Sequence, residues 1–151
     1  MQDVDELVEL ASRFPDDPYL LDLLGDATQL VDHPSLDRDY SLRCYLQAID
    51  RDPTYWPAYK SLGHWFDISE EFLKARLYFE LAIEHGAGDR ARIALASVLA
   101  QMGNKPMAFA TLDQCDDNED LDVTVMRDEI VDGLHDPYTK NDSDTPNCGE
   151  P

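Results

Sequence analysis

Thr54–Gly88 reads TYWPAYKSLGHWFDISEEFLKARLYFELAIEHGAG, and its spacing decides the fold. Tyr59, Leu62, Gly63 and Phe66 recur at intervals of three and four, the signature of one helix face. After a short turn, Ala75, Phe79 and Ala82 do the same. Gly63 and Ala75 carry almost no side chain, so the two helices can approach closely there. Phe66 and Phe79 fill the space beside them. A hairpin of this kind cannot bury both of its faces alone and needs a neighbour on each side.

The flanking sequence supplies those neighbours. Upstream, Pro18–Asp32 places Leu21, Leu24 and Gly25 where the central unit has Tyr59, Leu62 and Gly63. Its partner, Leu36–Arg51, matches through Tyr45, Ala48 and Pro53, with about four extra residues around His33-Pro34-Ser35-Leu36 in the turn. Such an insertion is cheap, because it loops into solvent. Asp3–Phe14 carries Val4, Leu7, Val8 and Ala11 at helical spacing and reads as the second half of a unit. Downstream, Leu95-Ala96, Leu99, Gly103, Ala108 and Leu112 repeat the pattern, with Asn104 as a cap and Pro106 in the first turn of the second helix. The acidic loop Asp116–Asp120 then leads into Leu121–Leu134. Leu121, Val125, Ile130 and Leu134 suggest an apolar stripe on a helix that closes the stack with one polar face. The expected organisation is an ordered domain over residues 1–136 and a disordered acidic tail over 137–151, where periodicity ends.

Composition narrows the function. The chain of 151 residues carries 32 Asp and Glu against 12 Lys and Arg, a formal charge of -20. That charge argues against nucleic acid and anionic membrane surfaces as partners, and is compatible with basic proteins or simply with solubility in a salty habitat. Cys44, Cys115 and Cys148 are far apart and form no metal-ligand pair, so neither a disulfide framework nor a metal site is expected. The N-terminal MQDVDELVEL is acidic without a long apolar run, which points to a cytoplasmic protein. His33, His64, His85 and His135 are scattered, and no phosphate loop, HExxH or GxSxG is present. No catalytic residue, cofactor or enzymatic activity is expected.

The recurrence of this pattern about every 34–38 residues over Pro18–Cys115 resembles the tetratricopeptide repeat family. The resemblance covers three tandem units, with a half-unit before them and a capping helix after. Cys115 stands where the family usually has Ala. It implies an all-α fold, a right-handed superhelix whose concave face is lined by the first helix of each pair and holds a peptide or helix of a partner protein. Placed on the family pattern, the groove would take Tyr19, Asp22, Asp26 and Gln29 from the first unit. Lys60, His64 and Asp67 would come from the second, and Arg90, Ile93, Ser97 and Gln101 from the third. The family's clamp for acidic C-terminal tails needs cations to neutralise a carboxylate, and Asp22 and Asp26 have the wrong sign for it. A basic or dipolar segment suits the groove better, with an exposed Trp56 or Trp65 as anchor. The expected function is therefore a protein-interaction module. The alternative is a small acidic inhibitor of a basic partner, and the oligomeric state stays open.

Overall fold

A computed structural model describes residues 4–30 and 36–137 of the chain. Among these residues there are eight helices and no strand: α1 (Val4–Arg13), α2 (Pro18–Leu30), α3 (Tyr40–Arg51), α4 (Trp56–Ile68), α5 (Phe72–Glu84), α6 (Asp89–Gln101), α7 (Lys105–Leu112) and α8 (Leu121–Val131). The all-α expectation holds. The turn insertion at His33-Pro34-Ser35 and residues 138–151 of the expected tail lie outside the described residues.

Each helix packs on the next, and the stack has a second rule. The even helices also touch one another, α2 on α4, α4 on α6 and α6 on α8, whereas no odd helix touches the next odd one among the described residues. An array whose even row is drawn together more tightly than its odd row bends toward the even row. Glycine causes the tight approach within the α2–α3 and α4–α5 pairs. A Cβ added at Gly25 would lie 2.4 Å from Cε1 of Tyr45, and one at Gly63 would lie 2.6 Å from Cδ1 of Phe79. Both rings are fully buried, each resting on the bare backbone of the preceding helix. In the third hairpin the pair changes together: Ala96 replaces the glycine, Leu112 replaces the ring, and both are fully buried.

The turns share one device. The N–H of Glu71, Ala87, Asn104 and Leu134 each returns to a carbonyl five residues back, on Phe66, Ala82, Leu99 and Glu129. This closure requires a left-handed residue just before the donor. Gly86 and Gly103 provide it at φ of 106° and 81°, while Glu70 adopts φ 59° with a side chain. Asn104 caps α7 as expected, its Oδ1 accepting from the N–H of Met107 at 3.2 Å. Asp120 caps α8, accepting from the N–H of Asp122 at 2.8 Å.

One expectation needs correction. On α8 the buried residues are Val123 and Ile130, seven positions apart and therefore on one face. Leu121 and Leu134 are 73% and 70% exposed, so the stripe had the wrong phase and the outer face of the last helix is not polar. On α1 the expectation holds: Val4, Leu7 and Ala11 are buried, and Leu7 and Ala11 meet Leu24 and Cys44 as the second half of a preceding unit would.

The glycine contacts make a sharp prediction. Gly63→Ala forces its Cβ into the Phe79 ring and should cost about 1–3 kcal/mol. Adding Phe79→Leu should recover part of that loss, reproducing the Ala96–Leu112 combination. Urea midpoints of the two single variants and the double variant check this, and strictly additive losses would contradict it.

Candidate functional site

The inner face of the even row is formed by α4, α6 and α8. One turn apart on α4, Lys60, His64 and Asp67 point into a groove of about 490 Å³. Arg90, Ile93, Ala94 and Ser97 of α6 line the same groove, and Asp122, Val125, Met126 and Glu129 of α8 form its far wall. A second depression of about 390 Å³ adjoins it and shares Lys60, Arg90, Ile93 and Asp122. Trp56, 36% exposed, closes that end together with Asp89, Asp116 and Asp120.

Of the eleven residues placed on the groove by the repeat pattern, the structure brings six together: Lys60, His64, Asp67, Arg90, Ile93 and Ser97. The eleventh, Gln101, does not line the groove but hydrogen-bonds Asp67 at 3.0 Å. The four from α2 are not part of it. Tyr19 is 60% exposed at the start of its helix. Asp26 and Gln29 are engaged by the buried Tyr45, whose hydroxyl donates to Asp26 Oδ1 at 2.8 Å and lies 3.1 Å from the Gln29 amide. A single phenolic proton serves one acceptor, so the Gln29 amide presents its NH₂ to the phenol. These two residues therefore anchor α3 to α2.

Asp22 is the clearest departure. It is 8% exposed, and its Oδ1 has no hydrogen-bond partner. Burial pushes its carboxyl up to about 6; Ser61 pulls it down, Asp26 pushes it up, and Lys60 and Tyr55 pull it down. Reversal of Asp22 to lysine, a natural test if it faced the groove, would instead bury an ammonium between helices.

The groove residues sit in defined environments. The His64 ring packs edge-on against Phe79 with centroids 5.0 Å apart. Its pKa is lowered, first by desolvation between the groove walls and then by Lys60, although its outer edge remains open to solvent. Lys60 lies over the Trp56 ring, 5.9 Å from its centroid. Arg90 is 82% exposed and stands 4.0 Å from Asp122. Asp89 is held by Arg92 at 2.8 Å and by the N–H groups of Asp116 and Asp117, which keep its carboxyl below the usual range.

A polar chain missed in the sequence crosses the groove floor. Gln101 Nε2 donates to Asp67 Oδ1 at 3.0 Å and approaches Ser97 Oγ at 3.5 Å. Ser97 Oγ is 3.1 Å from His135 Nδ1, and His135 Nε2 is 2.9 Å from Glu129 Oε2. With Glu129 accepting, His135 donates from Nε2–H and its Nδ1 accepts a hydrogen bond from the Ser97 hydroxyl. This contact leaves no mark in the sequence pattern, because His135 and Ser97 are 38 positions apart. A serine, a histidine and a carboxylate in series resemble a nucleophile and its base. Acyl transfer, however, needs N–H donors aimed at an oxyanion. The N–H groups around Ser97 lie inside α6 and are committed to that helix. We read the chain as a clip that ties α4, α6 and the end of α8 together.

Burial pushes the Cys44 thiol up to about 11 and raises that of Cys115 too. Among the described residues no three His, Cys, Asp or Glu side chains converge as metal ligands, and no helix is long and apolar enough to cross a membrane. The chain matches no family model and no curated protein.

Asp22 yields a pH-dependent prediction. Its folded pKa of about 6 lies above the ordinary aspartate value of 3.8, so the native state binds the proton more tightly. The wild-type protein therefore loses stability from this group as pH rises from about 4 to about 6, and the penalty is complete above that. Asp22→Asn should be more stable by roughly 1–3 kcal/mol at pH 7.5. That advantage should vanish near pH 4, as read by urea unfolding across pH. Equal midpoints at pH 7.5 would contradict it.

Proposed function

We propose that the chain is a tetratricopeptide-like interaction module that holds a basic or dipolar segment of a partner protein in the groove of α4, α6 and α8. It acts by binding and catalyses no reaction, and its setting is cytoplasmic. The observation that carries this reading is the groove itself. Six carboxylates line its two adjoining depressions, Asp67, Asp89, Asp116, Asp120, Asp122 and Glu129, against two lining cations, Lys60 and Arg90. Arg92 lies behind them, paired to Asp89 at 2.8 Å and 3.7 Å from Asp116. The even-row packing and the Gly–aromatic pairs support the repeat assignment. Ile93, Val125 and Met126 add an apolar floor, and the half-exposed Trp56 is the aromatic anchor.

Charge reversal inside and outside the groove tests the reading. Asp116 and Asp122 have exposed side chains, so Asp116→Lys/Asp122→Lys should leave the fold intact. Asp50 and Glu84, exposed on the odd helices, give a control of equal charge change, Asp50→Lys/Glu84→Lys. Affinity capture from lysate should recover a basic protein at about 0.05 M salt and release it at about 0.5 M. The groove variant should lose that protein and the control should retain it. Equal loss from both variants would reduce the effect to overall charge and remove the groove from the proposal.

A further inference from the structure

The charges of the groove are ordered along its length. At one end, beside Trp56, the exposed carboxylates of Asp116 and Asp120 face the depression, Asp116 with Arg92 3.7 Å away, a cation outnumbered there by carboxylates. In the middle, where the two depressions meet, stand Lys60 and Arg90, with Asp122 the only carboxylate among the shared residues. At the other end lie Asp67 and Glu129. The order is acid, base, acid. The middle is a true cationic station: Lys60 has no ion pair within 4.0 Å among the described residues, and Arg90 meets Asp122 only at that limit. At the end beside Asp67, the Gln101 and His135 contacts fix the carboxylates without ion-pairing them to Lys or Arg.

The length of the groove limits what it takes. Trp56 and Asp67 are eleven positions apart on α4, and a rise of 1.5 Å per residue makes this about 16 Å. An extended chain covers that distance with about five residues. In an extended segment, alternate side chains share one face, so positions one, three and five can address the three stations together.

We propose that the occupant is a short extended segment of another protein whose inward side chains run basic, acidic, basic, with the acid set between Lys60 and Arg90. This rests on the groove reading above and adds the charge order to it. The bases at the two ends meet Asp116 and Asp120 on one side and Asp67 and Glu129 on the other. Their aliphatic stems cover Ile93, Val125 and Met126. A uniformly basic segment would place a cation against Lys60 and Arg90, and that repulsion provides the discrimination.

Three capped peptides test the order: acetyl-KAEAK-amide, acetyl-KAKAK-amide and acetyl-EAKAE-amide. Each is titrated into the full chain at about 0.15 M salt, where screening shortens the reach of the overall charge to about 8 Å. The Trp56 indole resonance reports occupancy of the groove. KAEAK should bind at least threefold more tightly than KAKAK, and EAKAE should be weakest. Arg90→Glu alters a side chain that is 82% exposed, so the fold is spared, and it should invert the preference between KAEAK and KAKAK. Equal or tighter binding of KAKAK to the unaltered protein would overturn the charge order and leave a groove for basic segments standing. No movement of Trp56 with any peptide would overturn the order and count against the groove as well.

Discussion

The stack depends on one contact made twice: an aromatic ring lying on a glycine backbone, Tyr45 on Gly25 and Phe79 on Gly63. The contact sets how near the second helix of a pair comes to the first. It also frees the other side of the first helix to meet the next even helix. Because the rings are fully buried, each contributes about 1.5–3 kcal/mol of transfer energy to its hairpin. That gain accrues only if the glycine stays bare. The third hairpin fills the corresponding positions with Ala96 and Leu112, both fully buried, a larger residue in place of the glycine facing a smaller one in place of the ring.

Such volume constraints leave a readable mark in sequence, and most of the fold was legible for that reason. Small residues facing large ones at helical spacing identified every hairpin, and Asn104 announced its cap. The phase of α8 was harder, because Leu121, Val125 and Leu134 are as apolar as the buried Val123 and Ile130. Periodicity shows that a face exists. It does not show which of two apolar faces meets a neighbour, and α8 has α6 and α7 on one side only.

The groove was legible where a helix has even neighbours on both sides. Positions on α4 and α6 fell together as expected, while those on α2 did not. Angular position on a helix cannot report the depth at which the next helix crosses. Asp22 faces inward as the pattern requires, yet α4 covers it through Ser61 and Tyr55. Asp26 and Gln29 were claimed by a phenol from behind, a contact that needed the length of Tyr45 where the next unit has the apolar Phe79. Glu129 and His135 were invisible because their roles depend on where the chain goes after α8.

The overall charge of -20 and the charge order of the groove act over different distances. At physiological salt the Debye length is about 8 Å, so most of the surface carboxylates cannot reach a residue seated between α4 and α8. They can raise the rate at which a basic segment arrives. Choice among arriving segments must come from charges within the groove, and there two cations interrupt a row of acids. A site meant only to attract positive charge would have no use for Lys60 and Arg90 at its centre. Lys60 is further placed by Trp56, which holds its ammonium over the ring, and by the nearby carboxyl of Asp22. The unsatisfied Asp22 thus lowers stability at neutral pH while keeping a negative charge beneath the groove's central cation. On this reading, the weakest point of the α2–α4 packing and the most selective point of the groove are neighbours.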